Sequence, residues 1–320
     1  MLYLNANDID RLGTDWKRLI DIVRDTLVII KNKDYAQPTK PYLRYGNLKN
    51  RIIAMPAYIG GQNPVSGIKW IASFPDNIYE NLARANSITI LNKFDTGMPI
   101  CIINSNLVSA IRTASVSGLM IEKRFNESRN RKLTVGIVGF GPIGQIHLQM
   151  ISSILRSKIK KVCLYDLREI ETISFGTGLK DKIFICKSWE ECYSQADIFI
   201  ACTVGDKPYI NRKPKKGALL LNISLRDFDP ATRRFMDTIV VDDWDEVCRE
   251  KTDIEGMCKY HGLRKEDTIS FADFVLDRDH GCNDREKVTM FNPMGMAVFD
   301  IAIGSYYYRR AIRENIGSYI

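Results

Sequence analysis

Arg44, Lys69, Arg112 and Asp227 are charged residues set in apolar or rigid sequence, where packing alone asks for no charge. Lys69 interrupts the run Ile68-Lys69-Trp70-Ile71, and strand alternation puts it on the face opposite Ile68 and Trp70. Arg44 follows the proline-stiffened segment Gln37-Pro38-Thr39-Lys40-Pro41, and Arg112 precedes Thr113 near the start of a helix-like stretch. Guanidinium groups bind carboxylates through two parallel hydrogen bonds, and a desolvated lysine can take part in proton transfer. Taken singly, each of the three reads more readily as a solvated surface residue. Asp227 lies just past the apolar run Ala218 to Ile223. In open α/β sheets ligands gather beyond the carboxyl ends of strands, and a carboxylate there can exchange a proton with an amine or imine. The turn-like Asp227-Phe228-Asp229-Pro230 suits a loop or cap equally well. Thr203, directly after the run Ile198 to Cys202, could edge a cofactor through its hydroxyl and backbone.

A second group of residues is suited to phosphates. Leu133-Thr134-Val135-Gly136-Ile137-Val138 leads into Gly139-Phe140-Gly141-Pro142-Ile143-Gly144, and a helical pattern follows at once. Gly139 permits the tight turn, Gly141 lets backbone approach a pyrophosphate, and Gly144 lets the helix pack on the strand. The phosphates would sit at the helix N-terminus, where unpaired N–H groups and the helix dipole favour negative charge. Asp166 ends the next strand, the position from which an acid bonds the adenosine ribose. A carboxylate there repels a 2′-phosphate, so the expected cofactor is NAD rather than NADP. The nearby Arg168 could accept that phosphate, and an N-cap is the alternative role for Asp166, less favoured than the ribose contact.

Elements must position these groups. Thr14 is placed to cap a helix with apolar positions Trp16, Leu19, Ile20, Val23 and Leu27. Strands are expected at Arg51–Met55, Gly67–Ile71, Ser87–Leu91 and Pro99–Ile103, the last two joined by the turn Asp95-Thr96-Gly97. A helix from Asn106 to about Lys123 follows, and Lys123 to Lys132 reads as a linker. The first 120 residues thus form an antiparallel-sheet unit. Beyond them, apolar runs at Lys161–Tyr165, Ile183–Ile185, Asp197–Cys202, Ala218–Ile223 and Thr238–Val241 alternate with helical patterns. That alternation implies right-handed crossovers and a doubly wound parallel sheet. Residues 249–287 are charged and weakly patterned, and no assignment beyond a helix or two follows from them. A final helix after Asn292-Pro293-Met294-Gly295 returns to the first unit. The fold class is α/β: a Rossmann domain at 121–294 beside an α+β domain at 1–120 completed by 295–320.

Composition narrows the partners. In 320 residues, 46 Lys and Arg against 38 Asp and Glu leave a formal charge of +8. The basic residues are dispersed and no aromatic-basic module appears, so a substrate with several carboxylates fits the balance better than nucleic acid. Eight cysteines form no Cys-x-x-Cys pair, and His147, His261 and His280 are far apart, so no metal site is expected. No signal-like segment opens the sequence and no apolar run is long enough to span a bilayer, which gives the expectation of a reduced, cytoplasmic protein without membrane contact.

Several separate stretches, in order, carry a resemblance. Gln37-Pro-Thr-Lys-Pro-Tyr-Leu-Arg44, Arg51-Ile-Ile-Ala-Met-Pro56, Gly67-Ile-Lys-Trp-Ile71, Ile111-Arg-Thr-Ala114, Val240-Val-Asp-Asp-Trp244 and Asn292-Pro-Met-Gly-Met-Ala297 are together far more specific than the glycine pattern. Through them nearly the whole chain resembles the ornithine cyclodeaminase and mu-crystallin superfamily. The resemblance implies a homodimer, with the first domain providing substrate site and dimer interface and the second holding NAD. It implies that Arg44, Met55, Lys69 and Arg112 face the substrate, and that Lys69 and Asp227 are catalytic. It also implies that Arg112, Thr113, Gly139, Gly141, Pro142, Ile143, Gly144, Asp166, Thr203 and Ser224 line the cofactor. One departure matters. Ornithine cyclodeaminases usually carry Asp-Ser-Val-Gly where this chain has Asn292-Pro293-Met294-Gly295, and the missing serine and acid argue against ornithine.

That departure favours the branch that releases 2,3-diaminopropionate for siderophores or related antibiotics. The resemblance then implies an oxidative hydrolysis: a secondary amine loses hydride from its glutamyl carbon, water adds, and the carbon–nitrogen bond breaks. Rival readings are ornithine or lysine cyclodeamination, reduction of a cyclic ketimine, and a silent nucleotide-binding protein of crystallin type.

Overall fold

The structure is a computed structural model that describes residues 1–125, 131–170, 178–205, 207–277 and 286–320. The expected linker is therefore described only at its two ends, and His280 and Cys282 lie outside the described residues. The chain divides into two compact units, Met1–Ser115 with Gly295–Ile320, and Val116–Met294.

Unit 1 opens with β1 (Leu2–Asn5), α1 (Ala6–Leu12) and α2 (Trp16–Lys31), followed by the short β2 (Tyr35–Ala36) and β3 (Tyr42–Leu43). The long strands β4 (Arg51–Ile59), β5 (Val65–Ser73) and β6 (Ala85–Lys93) come next, then β7 (Pro99–Asn104) and α3 (Asn106–Phe125), whose residues from Val116 on belong to unit 2. Each of β4 to β6 is longer than its apolar run suggests, because pairing continues through polar residues such as Ser66 opposite Asn92. The helix α2 starts at Trp16 and is capped by Asp15, whose carboxylate accepts from Arg18 N. Thr14 was the expected cap. Aspartate one residue later wins because it sits where its oxygen reaches the orphan N–H groups of the first turn.

Unit 2 contains β8 (Leu133–Val138), α4 (Pro142–Ile154), β9 (Ile159–Tyr165), β10 (Ile183–Ile185), α5 (Trp189–Ser194), β11 (Ile198–Ala201) and β12 (Leu219–Asn222). It continues through β13 (Thr238–Val241), α6 (Trp244–Val247), α7 (Asp253–His261), β14 (Ile269–Ser270), α8 (Phe271–Leu276) and β15 (Thr289–Asn292). Among the described residues the charged 249–287 stretch holds the α-helices α7 and α8 and, beyond what its sequence pattern assigns, the strand β14 at the sheet edge. The chain then returns to unit 1 through α9 (Ala297–Glu314) and β16 (Ser318–Tyr319).

The unit 1 sheet runs β16-β1-β7-β6-β5-β4-β2, with β3 also on β4. It is mixed rather than wholly antiparallel, since β1 lies parallel to β7. α9 covers one face, packing on β4, β5, β6 and α2 and burying Ala297 to Ser305. The unit 2 sheet is all parallel, in the order β10-β9-β8-β11-β12-β15-β13-β14. Strand order reverses between β8 and β11, which makes a crevice at their carboxyl ends. Its core is apolar and well interlocked: Tyr193 and Phe199 stack edge to face at 4.8 Å.

Candidate active site

The glycine turn has the geometry that its residues imply. Gly139 adopts φ +87°, and a Cβ there would stand 2.6 Å from the Cys202 backbone carbon and 2.8 Å from Thr203 N. The turn therefore presses against the end of β11, at the point where strand order reverses. A Cβ on Gly144 would lie 2.2 Å from Gly139 O, so α4 can meet β8 only without a side chain there. At Gly141 a Cβ would touch Arg168 alone, at 3.6 Å, so the backbone faces open space. Gly141 is also the N-cap of α4, makes no side-chain cap, and is followed by Pro142 at N1. Unpaired N–H groups at an open helix start fit a pyrophosphate.

Asp166 follows β9 and accepts from Phe140 N at 2.7 Å and Arg168 N at 2.9 Å. It thereby ties the glycine turn to the end of the second strand. Ile143 serves the helix itself, since its carbonyl meets His147 Nδ1 at 2.7 Å. The other ring nitrogen of His147 meets Ser117 Oγ at 2.9 Å. Burial lowers this histidine to about 4, so it is a neutral helix contact.

Thr203, Ser224 and Asp227 converge in unit 2. Thr203 Oγ1 donates to Asp227 Oδ1 at 2.5 Å, and the Ser224 and Tyr209 hydroxyls lie near enough to favour its charge without closing a hydrogen bond to it. Burial pushes the Asp227 carboxyl above its ordinary range, against these hydroxyls, which favour the ionised form. Among the described residues, Asp227 Oδ2, Ser224 Oγ and Tyr209 Oη are buried without a hydrogen-bond partner. Buried polar atoms of this kind are rare and call for a missing partner. Leu225, two residues earlier, is held at φ +61°, with its N–H on Asn222 Oδ1. Asp253 lies behind, accepting from Asn222 Nδ2 and Phe228 N, and burial with the nearby Asp227 charge raises it to about 7.

Lys69 and Arg112 converge in unit 1. Register puts Met55 and Thr89 directly across from Lys69, so all three project to the α9 face. Lys69 is 2% exposed; it is a buried cation, not the surface residue its type suggests. Its Nζ meets Asp300 Oδ1 at 2.9 Å and Ser109 Oγ at 3.2 Å. Arg112, in the second turn of α3, brings Nε to the same Asp300 oxygen at 2.8 Å. Lys40 Nζ donates to Gly295 O at 2.9 Å. Burial lowers Lys69 to about 8, opposed by Asp300 and helped by Arg112 and Lys40. Burial alone would raise Asp300, but the Arg112 and Lys69 cations outweigh it and hold that carboxyl below the ordinary range.

The remaining expected site residues are less committed. Thr113 Oγ1 donates to Ser109 O at 2.9 Å, within its own helix. Arg44 follows β3, half-buried, with its guanidinium 5.2 Å over the Tyr42 ring. Asp300, Lys40 and Gly295 were not expected at the site. The signal for Asp300 was available, since one acid interrupts the apolar Ala297-Val298-Phe299-Asp300-Ile301 as Lys69 interrupts its strand. Among the described residues no three metal-ligating side chains cluster, and no helix is long and apolar enough to cross a membrane.

Known proteins share this arrangement of elements. The family model for the ornithine cyclodeaminase/mu-crystallin family matches residues 5–315. An N-((2S)-2-amino-2-carboxyethyl)-L-glutamate dehydrogenase of Staphylococcus aureus is 34% identical, over 99% of this chain and 97% of that protein. A Delta(1)-pyrroline-2-carboxylate reductase of Bacillus thuringiensis is 24% identical over 100% and 99%. The Thermococcus litoralis Delta(1)-pyrroline-2-carboxylate reductase, solved with NADH and L-proline, superposes with a TM-score of 0.90 at 22% identity, covering both chains fully. An archaeal alanine dehydrogenase dimer with bound NAD gives 0.85 at 22% identity, over 100% of this chain and 98% of that one.

Proposed function

The chain belongs to the ornithine cyclodeaminase/mu-crystallin family, and from that membership we propose an NAD-dependent dehydrogenase acting on a secondary-amine amino acid. The substrate in this reading is N-(2-amino-2-carboxyethyl)-L-glutamate, and the products are 2,3-diaminopropionate and 2-oxoglutarate. The observation that carries it is the buried charge of unit 1. Lys69 and Arg112 are both buried, yet they share one oxygen of a single acid, Asp300. A surplus of buried cations suits a ligand that brings several carboxylates. The relative of highest identity among those above acts on such a conjugate, and the Asn292-Pro-Met-Gly295 form lacks the groups expected for ornithine.

The glycine turn and Asp166 would hold NAD, which would supply the hydride acceptor for the glutamyl Cα. Lys69 and Arg112 hold substrate carboxylates, which fixes that carbon's orientation. Lys69 also polarises the water that adds to the oxidised carbon. Asp227, raised by burial, takes the proton from nitrogen and returns it as the carbinolamine carbon–nitrogen bond breaks. Residues 121–294 serve in this reading as the NAD domain, and 1–120 with 295–320 as the substrate and dimerisation domain.

The same reading includes a homodimer. The sheet face opposite α9 carries Trp70, 44% exposed, paired in register with Ile88, and Ile68 paired with Ile90. An uncovered apolar sheet face of this kind suits a second copy of the chain. The test of function is direct: purified protein is incubated with NAD and the glutamate conjugate, and NADH absorbance is followed. NADH with equimolar 2-oxoglutarate supports the reading. No NADH from the conjugate, but proline from ornithine or from the cyclic imine with NADH supplied, overturns it.

A further inference from the structure

We propose that Asp300 is a positioning residue for substrate binding, a single buried carboxylate that ties Lys69 and Arg112 into one anion receptor. This rests on the reading of unit 1 as a carboxylate site and adds a group that the reading does not contain. Three observations carry it. First, one oxygen, Oδ1, receives both Lys69 Nζ at 2.9 Å and Arg112 Nε at 2.8 Å, with all three side chains at most 8% exposed. Three separate elements, β5, α3 and α9, thereby meet at one atom.

Second, the way the cations are held leaves their outer donors open. Arg112 spends Nε on Asp300, and among the described residues Nη1 and Nη2 make no hydrogen bond. Lys69 spends two of its three N–H bonds, on Asp300 and Ser109. A guanidinium gripped at Nε presents its Nη pair to a carboxylate. Third, the turn before α9 is shaped around that guanidinium. Gly295 has φ +86°, and a Cβ there would lie 2.7 Å from Arg112 Nη1, while its carbonyl receives Lys40.

Electrostatics give the proposal its distinguishing consequence. The charged groups acting on Lys69 are Asp300 from α9, Arg112 from α3 and Lys40 from the segment before β3. Asp300 is the one that favours the ammonium form, and Arg112 and Lys40 oppose it. Removing Asp300 must therefore make Lys69 lose its proton at lower pH, and removing Arg112 must do the reverse. A residue that merely packed the helix would move neither.

The test follows the ionisation of Lys69 without relying on turnover. Full-length protein with ¹⁵N-labelled lysine Nζ is titrated by NMR, and Lys69 is assigned by the signal lost in Lys69→Arg. Asp300→Asn should lower the Lys69 midpoint by about one pH unit or more, Arg112→Met should raise it, and Asp300→Glu should keep it near the wild-type value. In parallel, the alkaline limb of kcat/KM for the glutamate conjugate should move the same way. Midpoints unchanged in a folded Asp300→Asn overturn the proposal. If Asp300→Asn does not fold, the Arg112→Met titration decides alone, and an unchanged or lowered midpoint there overturns it. Midpoints that move while wild-type protein never turns over the conjugate would leave Asp300 in place and overturn the proposed substrate instead.

Discussion

At the scale of single residues, two ionisable groups, one in each unit, are displaced in opposite senses. Burial pushes Asp227 up, toward a carboxylic acid that can hold a proton, and brings Lys69 down to about 8, so that its charge is conditional. Asp227→Asn keeps the shape and the Thr203 contact but removes the exchangeable proton. It should bind NADH normally by fluorescence titration while kcat falls by about 10²- to 10⁴-fold. For Lys69 the sign is set by the role proposed for it, since only the ammonium form would anchor a carboxylate. The wild-type kcat/KM should therefore fall as pH rises through about 8, with a kcat limb at higher pH because bound carboxylate retains the proton. A profile flat to pH 10 would remove Lys69 from substrate binding. Lys69 stands out in the sequence because a cation breaks an apolar alternation. Asp300 breaks a helical one in the same manner, but nothing local says that the two anomalies answer each other across the unit.

At the scale of elements, the β8–turn–α4 unit was legible because every requirement on it is local: an apolar run, a left-handed glycine and a close helix approach. Gly144→Ala tests that reading. Its Cβ would fall 2.2 Å from the Gly139 carbonyl oxygen, a backbone atom that cannot swing away. The turn must open, so NADH affinity should fall by at least about tenfold, an effect of 1.4 kcal/mol measured by titration. The same helix carries a pH-sensitive contact. His147 is neutral and wholly buried, and its folded pKa of about 4 lies below the ordinary 6.5. The unfolded chain takes up the proton first, so stability is full above about pH 6.5 and declines as pH falls toward 4, by roughly 3 kcal/mol. Chemical denaturation of wild type and His147→Gln at pH 7 and 5 should show the loss in the former and a smaller one in the latter. Elements made by distant partners were not legible. β1 has four residues and lies parallel to β7 because Leu2 to Asn5 pair with Cys101 to Asn104, a match that no local pattern announces.

At the scale of the whole molecule, the apolar sheet face of unit 1 is where the proposed dimer is tested. Trp70→Glu places a charge at its centre, opposite Ile88, without touching Lys69 on the other face. Light scattering should show a dimer in the wild type and a monomer in the variant, with far-UV circular dichroism unchanged. A variant that remains dimeric would move the interface elsewhere. The path of the chain has its own consequence. Unit 1 is discontinuous, since residues 116–294 are spent on unit 2 before Gly295 begins the return. Lys69 and Arg112 leave the ribosome long before the acid that neutralises them. Until α9 emerges they stay hydrated, and their sheet lacks the helix that covers it. Biosynthesis thus imposes an order, with unit 2 free to fold during translation and unit 1 completed only once α9 has emerged.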